Sequence, residues 1–221
     1  MTHMALHKGR LWGANPNGEY VYASALNDLF NFTVFDGLND DSVFLESSSQ
    51  GGYMGVYSCK EVLVTFKKNE TEVIYGELPS EFAVGKSFAD CGCIDMESCV
   101  QIDGVLYFLG SRGFFAWSGA RPQLISERLE TKYKSAYAFT DGLRYFASAE
   151  DRAGGRKNLV YTPRYGIWNS EDDVKIFGAF RDDADLYILA EDKIYKCGAE
   201  SGDVEWSAES VKLFGSDFEL N

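Results

Sequence analysis

Residues 99–126 read CVQIDGVLYFLGSRGFFAWSGARPQLIS, and this stretch decides the fold of the chain. It holds four short apolar segments: Cys99–Ile102, Val105–Leu109, Phe114–Trp117 and Gln123–Ile125. Asp103-Gly104 separates the first two, and such a pair indicates a tight hairpin because Gly accepts a positive φ without a Cβ clash. Each segment is too short for a helix and rich in strand-forming residues. The stretch therefore predicts a four-stranded antiparallel meander of about 28 residues, the size of one β-propeller blade.

The same unit recurs along the chain. The hexapeptide that begins at Gly104 has counterparts beginning at Gly9, Glu61, Gly142 and Ala184. Aligning them gives the anchor positions Trp12, Val64, Tyr107, Tyr145 and Tyr187. Successive anchors are 52, 43, 38 and 42 residues apart, a period typical of repeat folds. We therefore predict an all-β fold, a β-propeller of about five four-stranded antiparallel blades. The alternative is a β-sandwich or barrel with evenly spaced strands.

The domain organisation follows from the absence of any linker or shift of composition. Residues 9–221 are expected to form one β-propeller domain, preceded by a flexible leader over residues 1–8. Residues 36–55 are rich in Asp, Asn, Ser and Gly and are expected to be the loosest region. Val204–Ser207 is expected to complete the last unit. Val211–Phe214 is expected to pair with an early strand and close a ring, which would remove the exposed edges.

Charge and hydropathy disfavour several classes of partner. The 221 residues carry a net charge of −13, and a surface of this sign repels nucleic acid and anionic lipid. No run of about 18 apolar residues occurs, so no membrane-spanning helix is expected. The first residues lack the apolar segment and cleavage site of a secretory signal. We therefore expect neither tight nucleic-acid binding nor membrane association.

Three of the five cysteines lie close together in sequence and are candidate metal ligands. The chain contains Cys59, Cys91, Cys93, Cys99 and Cys197. An odd number without a secretory signal favours reduced thiols in a cytosolic environment. Cys91, Cys93 and Cys99 are candidate zinc ligands, but structural zinc takes four ligands, usually in pairs about two to four residues apart. The only histidines are His3 and His7, in the expected leader. Thiols of the core or loops are the preferred interpretation, and no metal is expected.

Catalytic motifs are weak. A Ser-His-Asp or Cys-His arrangement lacks a base outside the leader, and no phosphate-binding glycine loop occurs. Adjacent carboxylates stand in loops at Asp40-Asp41, Asp172-Asp173 and Asp182-Asp183. Adjacent side chains on an extended backbone point apart, which disfavours a glycosidase pair. Asp182, Asp183 and Asp185 supply too few oxygens for calcium. We predict no enzyme, no cofactor, and no catalytic, cofactor-binding or metal-ligating residue.

The tryptophans allow two interpretations. Trp12, Trp117, Trp168 and Trp206 stand at similar places in their units, on strands or at strand ends. An exposed row of these rings would form a carbohydrate platform. Packing between blades is preferred, because each repeat must bury its faces against its neighbours. A carbohydrate-binding or glycan-hydrolysing propeller stays open as the alternative function.

Three phrases of the sequence resemble β-propeller structural proteins of tailed bacteriophages. They run from Trp12 to Phe32, from Cys99 to Ser126, and from Tyr161 through Trp168 to Tyr195. The first contains SALNDLFNF at residues 24–32, which is similar to the S-x-x-(G/N)-D-x-x-N-(F/W) phrase of that family. The resemblance covers most of residues 9–198, through short phrases.

This resemblance implies a non-enzymatic virion protein of the tail, of the nozzle, tail-tube or DNA-stabilisation type near the head–tail junction. Such a protein contacts other tail or head–tail connector proteins, and it self-assembles into a ring in its full-length form. The implied location is the virion tail, and the bacterial cytoplasm during assembly. Family members usually carry further domains, whereas only the propeller part is expected here. A bacterial interaction propeller unrelated to phage is a further alternative.

Overall fold

The computed structural model describes residues 2–47 and 49–198, which form five antiparallel sheets. Each sheet is one blade, and its strands lie side by side in chain order. Blade 1 contains β1 (Thr2–His7), β2 (Arg10–Ala14), β3 (Tyr20–Ala23) and β4 (Val43–Glu46). Blade 2 contains β5 (Tyr53–Cys59), β6 (Val62–Lys67), β7 (Glu70–Tyr75) and β8 (Ala83–Ala89). Blade 3 contains β9 (Asp95–Ile102), β10 (Val105–Gly110), β11 (Gly113–Trp117) and β12 (Gln123–Leu124). Blade 4 contains β13 (Tyr133–Thr140), β14 (Tyr145–Asp151), β15 (Arg156–Thr162) and β16 (Ile167–Ser170). Blade 5 contains β17 (Ile176–Asp182), β18 (Asp185–Ala190) and β19 (Lys193–Lys196).

The stretch 99–126 forms the predicted meander and becomes the core of blade 3. Its four strands pair in sequence, and the first starts earlier than predicted, at Asp95. Asp103 and Gly104 have φ values of 48° and 75°, the left-handed pair that a two-residue hairpin between β9 and β10 requires. The turn chemistry therefore fixed the register of this blade.

The start of the chain corrects the expectation of a flexible leader over residues 1–8. Thr2–His7 form β1, which pairs with β2 through Leu6↔Leu11 and His7↔Arg10. The local signal is Lys8-Gly9, where both residues have positive φ and close a hairpin. The first blade therefore begins before residue 9, and both histidines lie in it.

The first strands of the blades form the inner row of the fold. β1 packs against β5, β5 against β9, β9 against β13, and β13 against β17. Antiparallel sheets that radiate from such a row define a β-propeller. The predicted all-β propeller of about five blades is thus confirmed, and it replaces the sandwich and barrel alternatives. The predicted strands Val204–Ser207 and Val211–Phe214 lie outside the described residues. No helix in the described part of the chain is long and apolar enough to cross a membrane.

Each junction between successive blades has its own hydrophobic core. Trp12 and Leu63 meet between blades 1 and 2. Phe66 and Phe108 meet between blades 2 and 3, with ring centroids 4.7 Å apart. The junction of blades 3 and 4 contains a large aromatic cluster: Tyr107, Phe114, Tyr133, Tyr145, Tyr161 and Trp168. A smaller cluster around Ile176 joins blades 4 and 5. The fold is therefore stabilised junction by junction, as expected of a repeat protein.

The anchor positions show where the sequence alignment holds and where it slips. Trp12, Val64 and Tyr107 are buried against the following blade, and each is the third residue after a two-residue turn. Tyr187 has the same place in blade 5. Tyr145 follows a four-residue turn and points back onto Tyr107, with ring centroids 5.6 Å apart. Counted from the centre of its turn, Tyr145 is one residue closer to the turn than Tyr107 is. A shift by one residue moves a side chain to the other face of a strand, so Tyr145 faces blade 3 instead of blade 5.

Candidate functional site

The cysteines do not form a metal centre in the described residues. The Sγ atoms of Cys93 and Cys99 lie 3.8 Å apart, but the Cys91 thiol donates to the carbonyl oxygen of Phe88 at 3.2 Å. Burial raises the pKa of the Cys91 and Cys99 thiols, which favours the protonated form rather than the metal-binding thiolate. Across residues 2–47 and 49–198, no three His, Cys, Asp or Glu side chains are arranged to hold a metal ion.

His7 is a buried residue of the junction between blades 1 and 2. Its Nδ1 lies 2.9 Å from the hydroxyl oxygen of Ser58. Burial, together with the charge of Lys8, lowers the pKa of His7 and keeps the ring neutral near pH 7. In a catalytic triad, a carboxylate accepts a hydrogen bond from the second ring nitrogen of the histidine and orients it. Among the described residues, no carboxylate makes this hydrogen bond to His7. The pair is best explained as a polar contact between blades.

The carboxylate pairs singled out in the sequence have local roles. Asp41 Oδ2 accepts a hydrogen bond from the Gly37 backbone N–H at 2.7 Å. Asp172 Oδ1 accepts from the Val174 backbone N–H at 3.1 Å and from the amide of Asn158. Asp183 has a φ of 52° in the turn between β17 and β18. Each of these aspartates therefore shapes a loop or turn, and Asp sidechains are favoured there for this reason.

A cleft of about 520 Å³ lies between blades 4 and 5. Phe139 and Phe146 form part of its wall and stack with ring centroids 4.9 Å apart. The charged residues that line it are Asp141, Arg144, Glu171, Asp172, Arg181 and Asp185. An aromatic wall beside charged groups is the type of surface that binds small polar ligands. Which ligand could bind depends on the protonation and the ion pairs of these carboxylates.

Two carboxyl groups of the cleft are shifted in opposite directions. Burial, with Asp172 nearby, raises the pKa of Glu171. Burial also acts on Asp141, but backbone N–H donors and the Arg144 guanidinium outweigh it and lower the Asp141 pKa. Opposed shifts are typical of acid–base pairs. Here the Arg144 guanidinium donates to Asp141 Oδ2 at 2.8 Å, and Lys196 forms an ion pair with Asp185 Oδ2 at 2.5 Å. Two of the four carboxylates that line the cleft are therefore held in ion pairs.

The described tryptophans pack between blades. Trp12 is fully buried in the junction of blades 1 and 2, and Trp117 is buried between blades 2 and 3. Trp168 packs on Phe114, with ring centroids 5.0 Å apart, and its Nε1–H donates to the carbonyl oxygen of Ile125 at 2.9 Å. Trp206 lies outside the described residues. The rings of Trp12 and Trp117 are thus not available as a carbohydrate platform.

A buried polar network in blade 2 was missed by the sequence analysis. Glu72 is fully buried on β7, and its carboxylate accepts from Tyr53 at 2.9 Å, Ser49 at 3.1 Å and Thr65 at 3.4 Å. Burial and the Glu72 charge raise the pKa of Tyr53. Lys67 donates to the carbonyl oxygen of Ser49 at 2.5 Å. The network fastens the segment after β4 to blade 2, and the polar residues inside the apolar strands β6 and β7 were its signal.

The segment between β3 and β4, residues 24–42, is here named the apolar loop. Phe30, Phe35 and Leu38 in this loop are 90%, 57% and 60% exposed. The Phe35 ring lies 6.0 Å from that of Phe44 on β4, which is also exposed. Phe35 and Phe44 thus expose neighbouring rings, and a contiguous exposed apolar patch typically marks a contact surface.

The apolar loop is held in place from beneath, although its second half was expected to be loose. Arg10 is buried under it, and its guanidinium donates to three carbonyl oxygens of the loop, those of Ser24 at 2.9 Å, Asn39 at 2.8 Å and Asp41. Backbone hydrogen bonds also cross the loop, such as Ser42 N–H to Val34 O at 2.8 Å. The exposed rings therefore stand on a preorganised support, which lowers the entropy cost of binding.

The charge around the apolar loop has one sign. Residues 25–46 contain no Lys or Arg, and they contain the acidic residues Asp28, Asp36, Asp40, Asp41 and Glu46. All of these except Asp41 are exposed. A partner that covers the phenylalanines would therefore need an apolar pocket with a basic rim.

These observations describe a β-propeller with an ordered loop that exposes large apolar side chains. No protein-family model matches the sequence, and no curated protein matches it. Among solved structures, the chain is similar to Hsv2 of Kluyveromyces marxianus, a β-propeller, with 10% identity and a TM-score of 0.55. It is also similar to the extracellular domain of the putative one-component system BT4673 of B. thetaiotaomicron, with 13% identity and a TM-score of 0.52.

These matches cover nearly all of this chain but only part of each matched structure. The match covers 94% of this chain and 64% of Hsv2. It covers 91% of this chain and 26% of the BT4673 structure. The chain thus spans about a quarter of one of these two structures and under two thirds of the other, and at such low identity the likeness shows the fold alone.

Proposed function

We propose that this chain is a non-enzymatic structural and interaction module, a β-propeller of a phage or prophage tail that assembles with other tail or head–tail connector proteins. The observation that carries the proposal is the apolar loop, with Phe30, Phe35 and Leu38 exposed on a support held by Arg10. Binding surfaces built on loops above a rigid scaffold are a common use of this kind of fold. The resemblance of the three sequence phrases supports the phage assignment.

The proposal is tested in the phage or prophage that encodes the chain. We expect the wild-type protein in purified particles, detected by mass spectrometry, and in the tail fraction after particles are disrupted. A Phe30→Asp/Leu38→Asp variant is expected to fold but to be missing from particles, because a buried carboxylate without a partner opposes docking. Leu143→Asp, at a residue exposed outside the loop, is the matched control and is expected to remain. A wild-type chain that never enters particles would overturn the proposal.

The acidic surface gives a second prediction, on DNA. With a net charge of −13, most of the chain's surface repels phosphate, and we expect no retention of double-stranded DNA even at low salt. If the chain lines the channel of a tail, its acidic surface would let DNA pass without adhering to it. The measurement is a gel-shift or fluorescence-anisotropy titration in about 20 mM salt. Micromolar binding that weakens steeply with salt would contradict a role beside DNA that must slide.

A further inference from the structure

The positive charges of this acidic chain are concentrated in one segment. Residues 111–170, from the turn after β10 to the end of β16, contain ten Lys or Arg and five Asp or Glu. Because the whole chain contains 21 and 34, the remainder contains 11 and 29. The segment thus has a net charge of +5, against −18 for the rest. Such an asymmetry makes the segment the candidate contact for an anionic partner.

Most of these cations have no acidic partner among the described residues. Lys134 and Arg156 pair with Glu150, and Arg144 pairs with Asp141. The other seven Lys and Arg side chains of the segment form no ion pair within the described part of the chain. All seven are exposed. Their charge is therefore available to a ligand from solution.

A groove between blades 3 and 4 brings part of this charge next to an apolar surface. It has a volume of about 360 Å³ and lies between the segment after β12 and the start of β16. Its apolar lining consists of Leu124, Ile125, Leu129, Ile167 and Trp168. Arg128 lines the groove, and Arg164 stands in the adjoining turn, two residues before Gly166 of the lining. This site is here named the basic groove.

The basic groove is both ordered and accessible. Trp168 Nε1–H donates to the carbonyl oxygen of Ile125 at 2.9 Å, which holds its two walls together. Ile167 and Tyr165 are 51% and 67% exposed. The guanidinium carbon of Arg164 lies 5.5 Å from the centre of the Tyr165 ring, a cation–π contact that keeps this charge beside the groove. The result is an apolar floor with a positively charged rim.

We propose that the basic groove binds an acidic segment of a partner protein, with a large apolar side chain of that segment on the groove floor. Guanidinium groups match carboxylates in geometry as well as in charge, which suits Arg128 and Arg164 to this role. Glu127 also lines the groove and Glu130 lies close in sequence, so charge alone is insufficient and the apolar contact is required. A long nucleic acid is disfavoured, because the rest of the chain repels phosphate.

The basic groove and the apolar loop differ in the partner that each one fits. The apolar loop is acidic and requires a basic partner, whereas the basic groove requires an acidic one. The chain therefore offers two docking surfaces of opposite charge, on blade 1 and between blades 3 and 4. The inference does not depend on the phage assignment.

The test is a selection of peptides on the immobilised full chain. Random dodecapeptides displayed on yeast are selected for binding, and the enriched sequences are then measured as free labelled peptides by fluorescence anisotropy. We expect these sequences to combine Asp or Glu with a large apolar residue. Arg128→Glu/Arg164→Glu is expected to weaken their binding at least about tenfold, because each attraction becomes a repulsion. Ile167→Ala is expected to weaken it as well, since it removes part of the apolar floor.

Arg152→Glu/Lys157→Glu is the matched control, because it makes the same change of charge at two exposed residues outside the lining of the groove. Its affinity is expected to stay within about threefold of the wild type, since distant charges are screened. Circular dichroism checks folding, and Arg128→Gln/Arg164→Gln replaces a variant that unfolds.

Several results would overturn the inference. They are a selection without an enriched binder, enriched peptides without acidic residues, and an equal loss of affinity in the control. Two further results would assign the groove to another occupant. Duplex DNA that binds the wild type but not Arg128→Glu/Arg164→Glu would assign it to nucleic acid, and a wild-type dimer that this variant abolishes would assign it to a second copy. No variant alters the apolar loop, so each of these failures leaves the proposed function standing.

Discussion

Replacement of Phe114 by alanine is expected to lower the free energy of unfolding by about 3–5 kcal/mol. Phe114 is buried in the junction of blades 3 and 4, where its ring contacts three others. The centroid distances are 5.0 Å to Trp168, 5.8 Å to Tyr133 and 5.9 Å to Tyr145. The neighbouring rings are themselves fixed by the two sheets, so the cavity cannot collapse fully. Urea unfolding followed by tryptophan fluorescence measures the loss.

The matched control for this change is Phe30→Ala. Phe30 is exposed in the apolar loop, and its truncation is expected to alter the free energy of unfolding by no more than about 0.5 kcal/mol. Both variants remove the same ring, so the difference between them isolates burial. A loss of under about 1.5 kcal/mol for Phe114→Ala would show that the junction does not carry the stability assigned to it.

The fold was predictable because the sequence repeats its local signals. The turn at Asp103-Gly104 and the short apolar run Val105–Leu109 indicate a hairpin without reference to the rest of the chain. The same pattern at Gly9 and Ala184 then identified the first and fifth blades. A repeat places few demands on long-range inference, because each blade contacts its neighbours only.

Two of the errors concern hairpins whose turns the sequence analysis did not place. The expected leader over residues 1–8 contains β1, which pairs with β2 across the turn at Lys8-Gly9. Tyr145 was aligned with Tyr107 by sequence, but the longer turn before it reverses its face. A buried polar residue in a strand, such as Glu72, belongs to a network whose partners the sequence does not identify.

The apolar loop was least accessible to sequence reasoning. Its Asp, Asn and Gly content predicts looseness, and a segment of this composition is often mobile. The structure orders it through Arg10, a residue 14 positions before the loop begins at Ser24. No local rule connects a buried arginine with the carbonyl oxygens of a distant segment. The candidate surface could therefore be found only once the fold had brought Arg10 beneath the loop.

Replacement of Arg10 by methionine is expected to lower the free energy of unfolding by about 3 kcal/mol or more. Methionine retains much of the apolar bulk but none of the donors, so the carbonyl oxygens of Ser24, Asn39 and Asp41 lose a buried cationic partner. The loop is expected to lose order before the blade does. Hydrogen exchange measures this directly, through the amide of Ser42, which donates to the carbonyl oxygen of Val34.

Arg121→Met is the matched control, since Arg121 is exposed and its guanidinium makes a hydrogen bond to the carbonyl oxygen of Ala89 at 2.6 Å. We expect a change within about 0.5 kcal/mol and unaltered exchange in the loop. If Arg10→Met left the loop amides as protected as in the wild type, the support assigned to Arg10 would be wrong. If protection is lost, Arg10→Met should also weaken docking while Phe30 and Phe35 are intact. That outcome would separate the contribution of preorganisation from that of the exposed rings themselves.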